Sequence, residues 1–136
     1  NTAEGWQLST PSPIMYAAHK ASLDIFEAAG FENVVQKGAT MAANLISVLE
    51  DVNNRLHTKL LQVITPVKPE ERGCQVSILM LQNGREVFEA LSKNGVFADW
   101  REPDVIRIAP VPLYNTFEEI YQFGQLLFNA CAAFKN

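Results

Sequence analysis

The chain has 136 residues, 48% of them hydrophobic and 19% charged, a composition typical of a globular domain rather than of a disordered chain. One compact domain is the default for this length. Eleven basic and fifteen acidic residues give a net charge of −4 with no basic stripe, so we expect neither nucleic acid nor a membrane as a partner.

The N-terminal part of the chain predicts a polar arm and then a helix. Residues 1–12 are rich in turn-forming residue types and are interpreted as an N-terminal arm. Ser12 and Pro13 suit the N-cap and the first position of a helix over about 13–29. Gly30 is well placed to end that helix.

A second helix, over about 32–56, carries the clearest periodic signal of the sequence. Apolar residues recur at steps of three and four, which is typical of an inward-facing helical stripe. The stripe consists of Val34, Gly38, Met41, Leu45, Val48, Val52 and Leu56. A glycine is unfavourable inside a helix, so Gly38 indicates that another part of the backbone approaches closely there.

Four strands are predicted downstream, over about 61–65, 75–81, 96–101 and 105–108. The second of them is almost continuously apolar, so we expect it to be buried on both faces. The last two flank Glu102-Pro103-Asp104, which predicts a hairpin with a proline-containing turn.

Two further helices are predicted, over about 84–94 and 116–134. Asn83 with Glu86 has the spacing of a capping box for the first, and Thr116 is expected to cap the second. Together with the strands, this order predicts an α+β fold in which helices cover a small, mainly antiparallel sheet.

The common catalytic motifs are not found in this sequence. His19 and His57 have no second ligand at metal-binding spacing, so no metal site is predicted. There is neither a nucleophile elbow nor a glycine-rich phosphate loop. Cys74 and Cys131 stand among apolar neighbours, which indicates buried, reduced thiols.

Arg107 is the charged residue that stands out. It lies in the strand Val105–Ile108, whose other members are apolar, and a charge in such a setting requires an anionic partner. A hairpin centred on Pro103 places Asp99 opposite Arg107, whereas a register shifted by one residue places Trp100 there. The alternative to a structural partner is a substrate carboxylate bound by the guanidinium through paired hydrogen bonds.

The hydroxyl groups of Ser9 and Thr10 are the other candidates for contact with a ligand. They lie in the polar arm just ahead of Pro11. Such hydroxyls also commonly close a turn or cap a helix, and the residues alone leave both interpretations open.

Several blocks of the sequence resemble the C-terminal part of kynureninases, in the same order. The longest and most specific is 99–103 (DWREP) with 105–115 (VIRIAPVPLYN); the others are 5–11 (GWQLSTP), 21–26 (ASLDIF), 64–66 (ITP) and 72–75 (RGCQ). The resemblance covers nearly the whole chain. It implies the C-terminal small domain of a fold-type-I enzyme that uses pyridoxal 5'-phosphate (PLP) and is related to aspartate aminotransferase.

The resemblance also implies an activity. Kynureninases hydrolyse L-kynurenine or 3-hydroxykynurenine to anthranilate or 3-hydroxyanthranilate and L-alanine, in tryptophan degradation and NAD biosynthesis. They act as homodimers, and we expect a cytoplasmic enzyme. Carried over from the family, Arg107 would bind the α-carboxylate of the substrate, and Thr10 would lie near its aromatic ring. Some members have Asn at the position of Thr10, so the ring hydroxyl preferred by this protein stays open.

The family's cofactor residues lie on a large domain that this sequence does not match. The lysines present are Lys20, Lys37, Lys59, Lys68, Lys93 and Lys135, and none stands in a context resembling the family's Schiff-base motif. The chain also begins at Asn1 without a Met. We therefore expect an arm at 1–12, a small domain at 13–136, no large PLP-binding domain, no bound PLP and no activity in this chain alone.

Two other interpretations stay open at this point. The chain is compatible with the small domain of another class-V-like PLP enzyme, such as a desulfurase or an aminotransferase. It is also compatible with a binding module that kept the domain and lost catalysis.

Overall fold

A computed structural model of the chain describes residues 2–134. The chain divides into two compact units, the first ending at Val34 and the second beginning at Val35, whereas the sequence led us to set apart only residues 1–12.

The first unit consists of a short 3-10 turn, Ala3–Trp6, and helix α1, Pro13–Ala29. Pro13 occupies the first helical position, as expected, but the Ser12 side chain makes no capping hydrogen bond. Gly30 follows α1 with a φ of +77°, a left-handed conformation that favours glycine. No residue of α1 is buried.

Helix α2, Phe31–Leu56, continues from the first unit into the second. Its buried residues are Gly38, Met41, Ala42, Leu45, Leu49, Val52 and Leu56. They include five members of the predicted stripe, whereas its other two, Val34 and Val48, are only half-buried. A Cβ atom at Gly38 would lie only 3.0 Å from Cγ of Pro112. A close approach is therefore present at this glycine, but it is made by the ring of Pro112, in the loop after the last strand, and not by backbone atoms as predicted.

The second unit contains a four-stranded sheet, entirely antiparallel, in the order β1-β2-β4-β3. Its strands are β1 (Leu61–Val63), β2 (Val76–Met80), β3 (Asp99–Arg101) and β4 (Val105–Ile108). Helix α3, Gly84–Lys93, follows β2, and helix α4, Phe117–Ala133, ends the fold. The predicted α+β class with a small antiparallel sheet is confirmed.

Three strands are shorter than the sequence indicated: β2 by one residue at each end, and β1 and β3 by more, because other groups take over their strand hydrogen bonds. Next to β1, the N–H of Ser77 donates to the Thr65 hydroxyl at 2.8 Å. Before β3, the N–H of Val96 donates back to the carbonyl of Leu91 at 3.1 Å. Residue 96 therefore completes the end of α3, and the strand begins only at Asp99.

The expectation that β2 is buried on both faces is wrong. Val76, Ile78 and Met80 are buried, while Ser77 and Leu79 between them are half-buried. These buried side chains join those of α2, α3 and α4 in one hydrophobic core. The apolar run of β2 therefore did not reveal that the hydrophobic core covers only one face of this strand.

The cap of α3 also differs from the prediction. Asn83 has a left-handed backbone, with φ 49° and ψ 34°, and makes no side-chain cap. Its Nδ2 instead donates to the carbonyl of Phe134 at 2.6 Å. At α4 the cap is as expected: Thr116 accepts from the N–H of Glu119, whose carboxylate accepts from the N–H of Thr116.

Candidate carboxylate-binding site

The hairpin formed by β3 and β4 positions Arg107. Asp99 pairs with Arg107 across the two strands, and Trp100 pairs with Ile106, so the first of the two registers considered above is the one adopted. Ile106 is buried in the core. Since neighbouring strand residues point to opposite faces, Arg107 projects away from that core.

Asp99 joins two arginines in one ionic cluster. Its Oδ2 accepts from Nε of Arg107 at 2.6 Å and from Nε of Arg101 at 2.9 Å, and Nη2 of Arg107 contacts the same oxygen. The hydrogen bond from Arg107 holds the pKa of Asp99 below its ordinary value of 3.8, with help from Arg101. The cluster thus contains a carboxylate that stays ionised between two cations.

Asp99 uses only some of the hydrogen-bond donors of the Arg107 guanidinium. The Arg107 side chain is 32% exposed, and Asp99 takes the edge of the guanidinium formed by Nε and Nη2. Among residues 2–134, no group accepts a hydrogen bond from Nη1 of Arg107. The outer edge, Nη1 with the second hydrogen of Nη2, is the edge that can hold another carboxylate through paired hydrogen bonds.

A cavity of about 350 Å³ opens beside this arginine. Its lining includes Arg107 and Asp99 together with the fully exposed ring of Phe97. A neighbouring cavity of about 610 Å³ shares the Phe97 wall and extends to Tyr114 and Asn115. The guanidinium therefore borders a space that is apolar apart from a few polar groups, a combination common in small-molecule sites.

The loop after β4 is fixed by a lysine that the sequence did not single out. The Nζ of Lys37 on α2 donates to the carbonyls of Pro112 and Asn115, at 2.7 and 3.0 Å. Asn115 Oδ1 in turn accepts from the N–H of Val111 at 2.8 Å. Lys37 and Pro112 are 75 positions apart, so no local pattern revealed this contact.

The end of that loop is fixed by α4. Backbone and side-chain hydrogen bonds from Thr116 and Asn115 lower the pKa of Glu119, which holds its carboxylate ionised at the start of the helix. Between these anchors Tyr114 remains 72% exposed. The loop thus presents an aromatic side chain from a fixed backbone.

Thr10, the other candidate from the sequence, lies in the first unit and is exposed. Arg107 lies in the second unit. The role of Thr10 therefore stays a prediction.

Within residues 2–134 the structure supports neither a metal site nor a membrane-spanning helix. No group of three His, Cys, Asp or Glu side chains there is arranged to hold a metal ion. No helix in that part of the chain is long and apolar enough to cross a membrane. Both cysteines are free; Cys131 is buried as expected, but Cys74 is only half-buried.

The region of the chain that is similar to known proteins begins in α2, ends in α4 and includes the whole ionic cluster. Residues 34–127 match the kynureninase C-terminal domain family. The chain belongs to the kynureninase family.

Individual kynureninases show how far this similarity reaches. The chain is 42% identical over 125 residues to the kynureninase of Flavobacterium psychrophilum, which covers 92% of the chain and 29% of that protein. The kynureninase of Stenotrophomonas maltophilia is 45% identical over 124 residues, or 89% of the chain and 28% of that protein. The chain thus spans under a third of the length of the kynureninases it matches, and what it matches is their C-terminal domain.

Proposed function

We propose that the chain is the C-terminal domain of an enzyme that hydrolyses L-kynurenine or 3-hydroxykynurenine to the corresponding anthranilate and L-alanine. In this proposal Arg107 binds the α-carboxylate of the substrate. The observation that carries the assignment is the guanidinium edge of Arg107 left unused by Asp99, within the matched region and beside a cavity.

The assignment of Arg107 is tested in the full-length, PLP-loaded protein with Arg107→Ala and Arg107→Lys. Lysine keeps the charge but not the paired hydrogen bonds, so both variants are expected to lower kcat/KM for kynurenine, alanine more, by roughly 10- to 100-fold. Arg55→Lys is a matched control, since the Arg55 side chain is 35% exposed and lies on α2. Unchanged kinetics in Arg107→Ala would refute the assignment.

The residues of this chain do not themselves fit a PLP site, which requires a lysine in an enclosed pocket beside an acidic partner for the pyridine nitrogen of the cofactor. The Lys37 ammonium is held by the carbonyls of Pro112 and Asn115. Lys20 and Lys68 pair with carboxylates, Lys59 and Lys93 are exposed, and Lys135 lies outside the described residues. We therefore assign no cofactor-holding residue here and propose that the remaining length of the kynureninase, as a large domain, supplies them.

The proposal that a large domain supplies the cofactor-holding residues can be tested directly. The 136-residue chain, purified and given PLP, is expected to release no anthranilate from kynurenine, because its own residues supply no reactive lysine. The full-length protein assayed alongside is the positive control. Release of anthranilate by the isolated chain at a comparable rate would contradict the proposal.

Thr10 is proposed to lie near the aromatic ring of the substrate, as the family resemblance implies. Its exposure and its place in a polar segment support this role without specifying the ring substituent. Thr10→Asn and Thr10→Ala are expected to change the ratio of kcat/KM between kynurenine and 3-hydroxykynurenine. Equal effects on both substrates would remove Thr10 from ring recognition.

The proposed enzyme is a homodimer in the cytoplasm. Exposed apolar side chains along α1 support the presence of a covering surface, because they are costly to leave in water. The two free cysteines suit a reducing compartment. The mass of the full-length protein in solution tests the dimer.

A further inference from the structure

We infer that Asp99 and Arg101 are positioning residues for Arg107: Asp99 fixes the guanidinium so that its outer edge faces a ligand carboxylate, and Arg101 neutralises Asp99 so that Arg107 keeps its charge for that ligand. The inference rests on the function proposed for Arg107. It adds Arg101, for which neither spacing nor composition indicated a role, and gives Asp99 a role beyond that of the cross-strand partner considered above.

The geometry of the cluster supports the positioning role of Asp99. Both of its arginine partners converge on the single oxygen Oδ2, and Arg107 meets that oxygen with Nε and Nη2. An arginine on a strand has several rotatable bonds, and holding it by one edge removes most of that freedom. The opposite edge is then presented in a fixed direction before any ligand arrives.

The charges of the cluster support the role of Arg101, which is to neutralise Asp99. A pair consisting only of Asp99 and Arg107 has no net charge, and it would attract an anion weakly. With Arg101 on the same Oδ2 at 2.9 Å, the cluster carries one net positive charge. A substrate carboxylate at the outer edge of Arg107 completes a balance of two cations and two anions.

The surroundings favour a ligand over a purely structural cluster. Asp99 and Arg101 have side chains that are 48% and 59% exposed, so this ion pairing by itself stabilises the fold little. Asp99 and Arg107 also line the cavity of about 350 Å³. The cluster thus lies at the mouth of a space open to a small molecule.

The test uses the full-length, PLP-loaded protein and two ligands that differ only in the carboxylate. Kynurenine carries it, and kynuramine is the same molecule without it. For each variant, KM and kcat are measured with kynurenine, and an inhibition constant with kynuramine. A positioning role predicts that Asp99→Asn raises KM for kynurenine about tenfold and leaves the inhibition constant of kynuramine within about twofold.

Two variants of Arg101 distinguish the effect of its charge from the effect of its side-chain shape. Arg101→Gln is expected to raise KM for kynurenine several-fold, and Arg101→Lys to restore most of the affinity, since it returns the charge. Glu89→Gln is the matched control for Asp99→Asn, because Glu89 also pairs with an exposed arginine, Arg85 on α3. It is expected to change none of the constants.

Three outcomes would overturn the inference. KM unchanged or lowered in Asp99→Asn would make Asp99 a bystander or a competitor for Arg107. Parallel losses with kynurenine and kynuramine would indicate general damage to the fold. Arg101→Lys as impaired as Arg101→Gln would remove the charge argument. If Arg107→Lys leaves KM for kynurenine unchanged, it is instead the proposed function of Arg107 that fails.

Discussion

Asp99 links the candidate site to acid stability. Its folded pKa lies below the ordinary value of 3.8, chiefly through the hydrogen bond from Arg107, so the unfolded chain binds its proton more readily. The resulting stabilisation is fully present above that ordinary value and is lost as the pH falls through the lower folded pKa.

We therefore expect Asp99→Asn to be less stable than the wild type at about pH 7 and the difference to shrink at about pH 3. Urea unfolding of the 136-residue chain at the two pH values measures it. Glu89→Gln provides the comparison for loss of an exposed, arginine-paired carboxylate. A difference that grows as the pH falls would contradict the sign.

Cys131 and Cys74 are expected to differ in reactivity. Burial raises the pKa of the Cys131 thiol to about 11, so almost none of it is the reactive thiolate at neutral pH. In the native chain a thiol reagent should modify Cys74, which is half-buried, well before Cys131. Cys74→Ser leaves only the slow phase, and Cys131→Ser leaves only the fast one. Rapid modification of Cys131 in the folded Cys74→Ser variant would contradict the burial of the Cys131 thiol.

At the scale of single elements, the start of α4 has the most complete cap. The Thr116 hydroxyl accepts from the N–H of Glu119 at 3.2 Å, and the Glu119 carboxylate accepts from the N–H of Thr116 at 2.7 Å. Since α4 also terminates the loop that follows Arg107, this cap bears on both stability and the site.

Thr116→Ala is expected to lower the free energy of unfolding by about 1 kcal/mol. Thr40→Ala is a suitable control, because the Thr40 hydroxyl donates to the Gln36 carbonyl within α2 rather than capping a helix and such bonds add little. Denaturant unfolding of both variants provides the measurement. Equal effects at the two threonines would argue against the cap.

The elements also show which local signals were sufficient. Thr116 was recognisable as a cap because the residue that completes it lies three positions away. Asn83 had equally good spacing to Glu86, yet its side chain bonds to the Phe134 carbonyl at the end of α4. A distant carbonyl holds this side chain through Nδ2, and its Oδ1 accepts no capping hydrogen bond; sequence spacing does not reveal such a distant contact.

At the scale of the whole molecule, α1 is the feature that requires explanation. Ile14 and Ile25 are spaced to share one face of this helix and are 80% and 59% exposed. We propose that the rest of the kynureninase covers this face.

Accordingly, the 136-residue chain alone is expected to self-associate as its concentration rises, as measured by sedimentation velocity. Ile14→Gln with Ile25→Gln should weaken that association several-fold, since it removes apolar surface from one face. Val67→Gln is the control, as Val67 is 85% exposed but lies in the second unit. A chain that stays monomeric at all concentrations would contradict the expectation.

The sequence was enough to predict the order of helices and strands, most of the buried stripe of α2, the alternatives for the partner of Arg107 and the resemblance to kynureninases. These depend on the spacing of neighbouring residues or on long specific blocks. Tertiary structure decided the rest: the register that joins Asp99 to Arg107, the addition of Arg101, the hold of Lys37 on the loop, and the single buried face of β2. Each of these depends on which side chains meet from distant positions, and their competition for hydrogen bonds and burial is resolved only when the chain is folded.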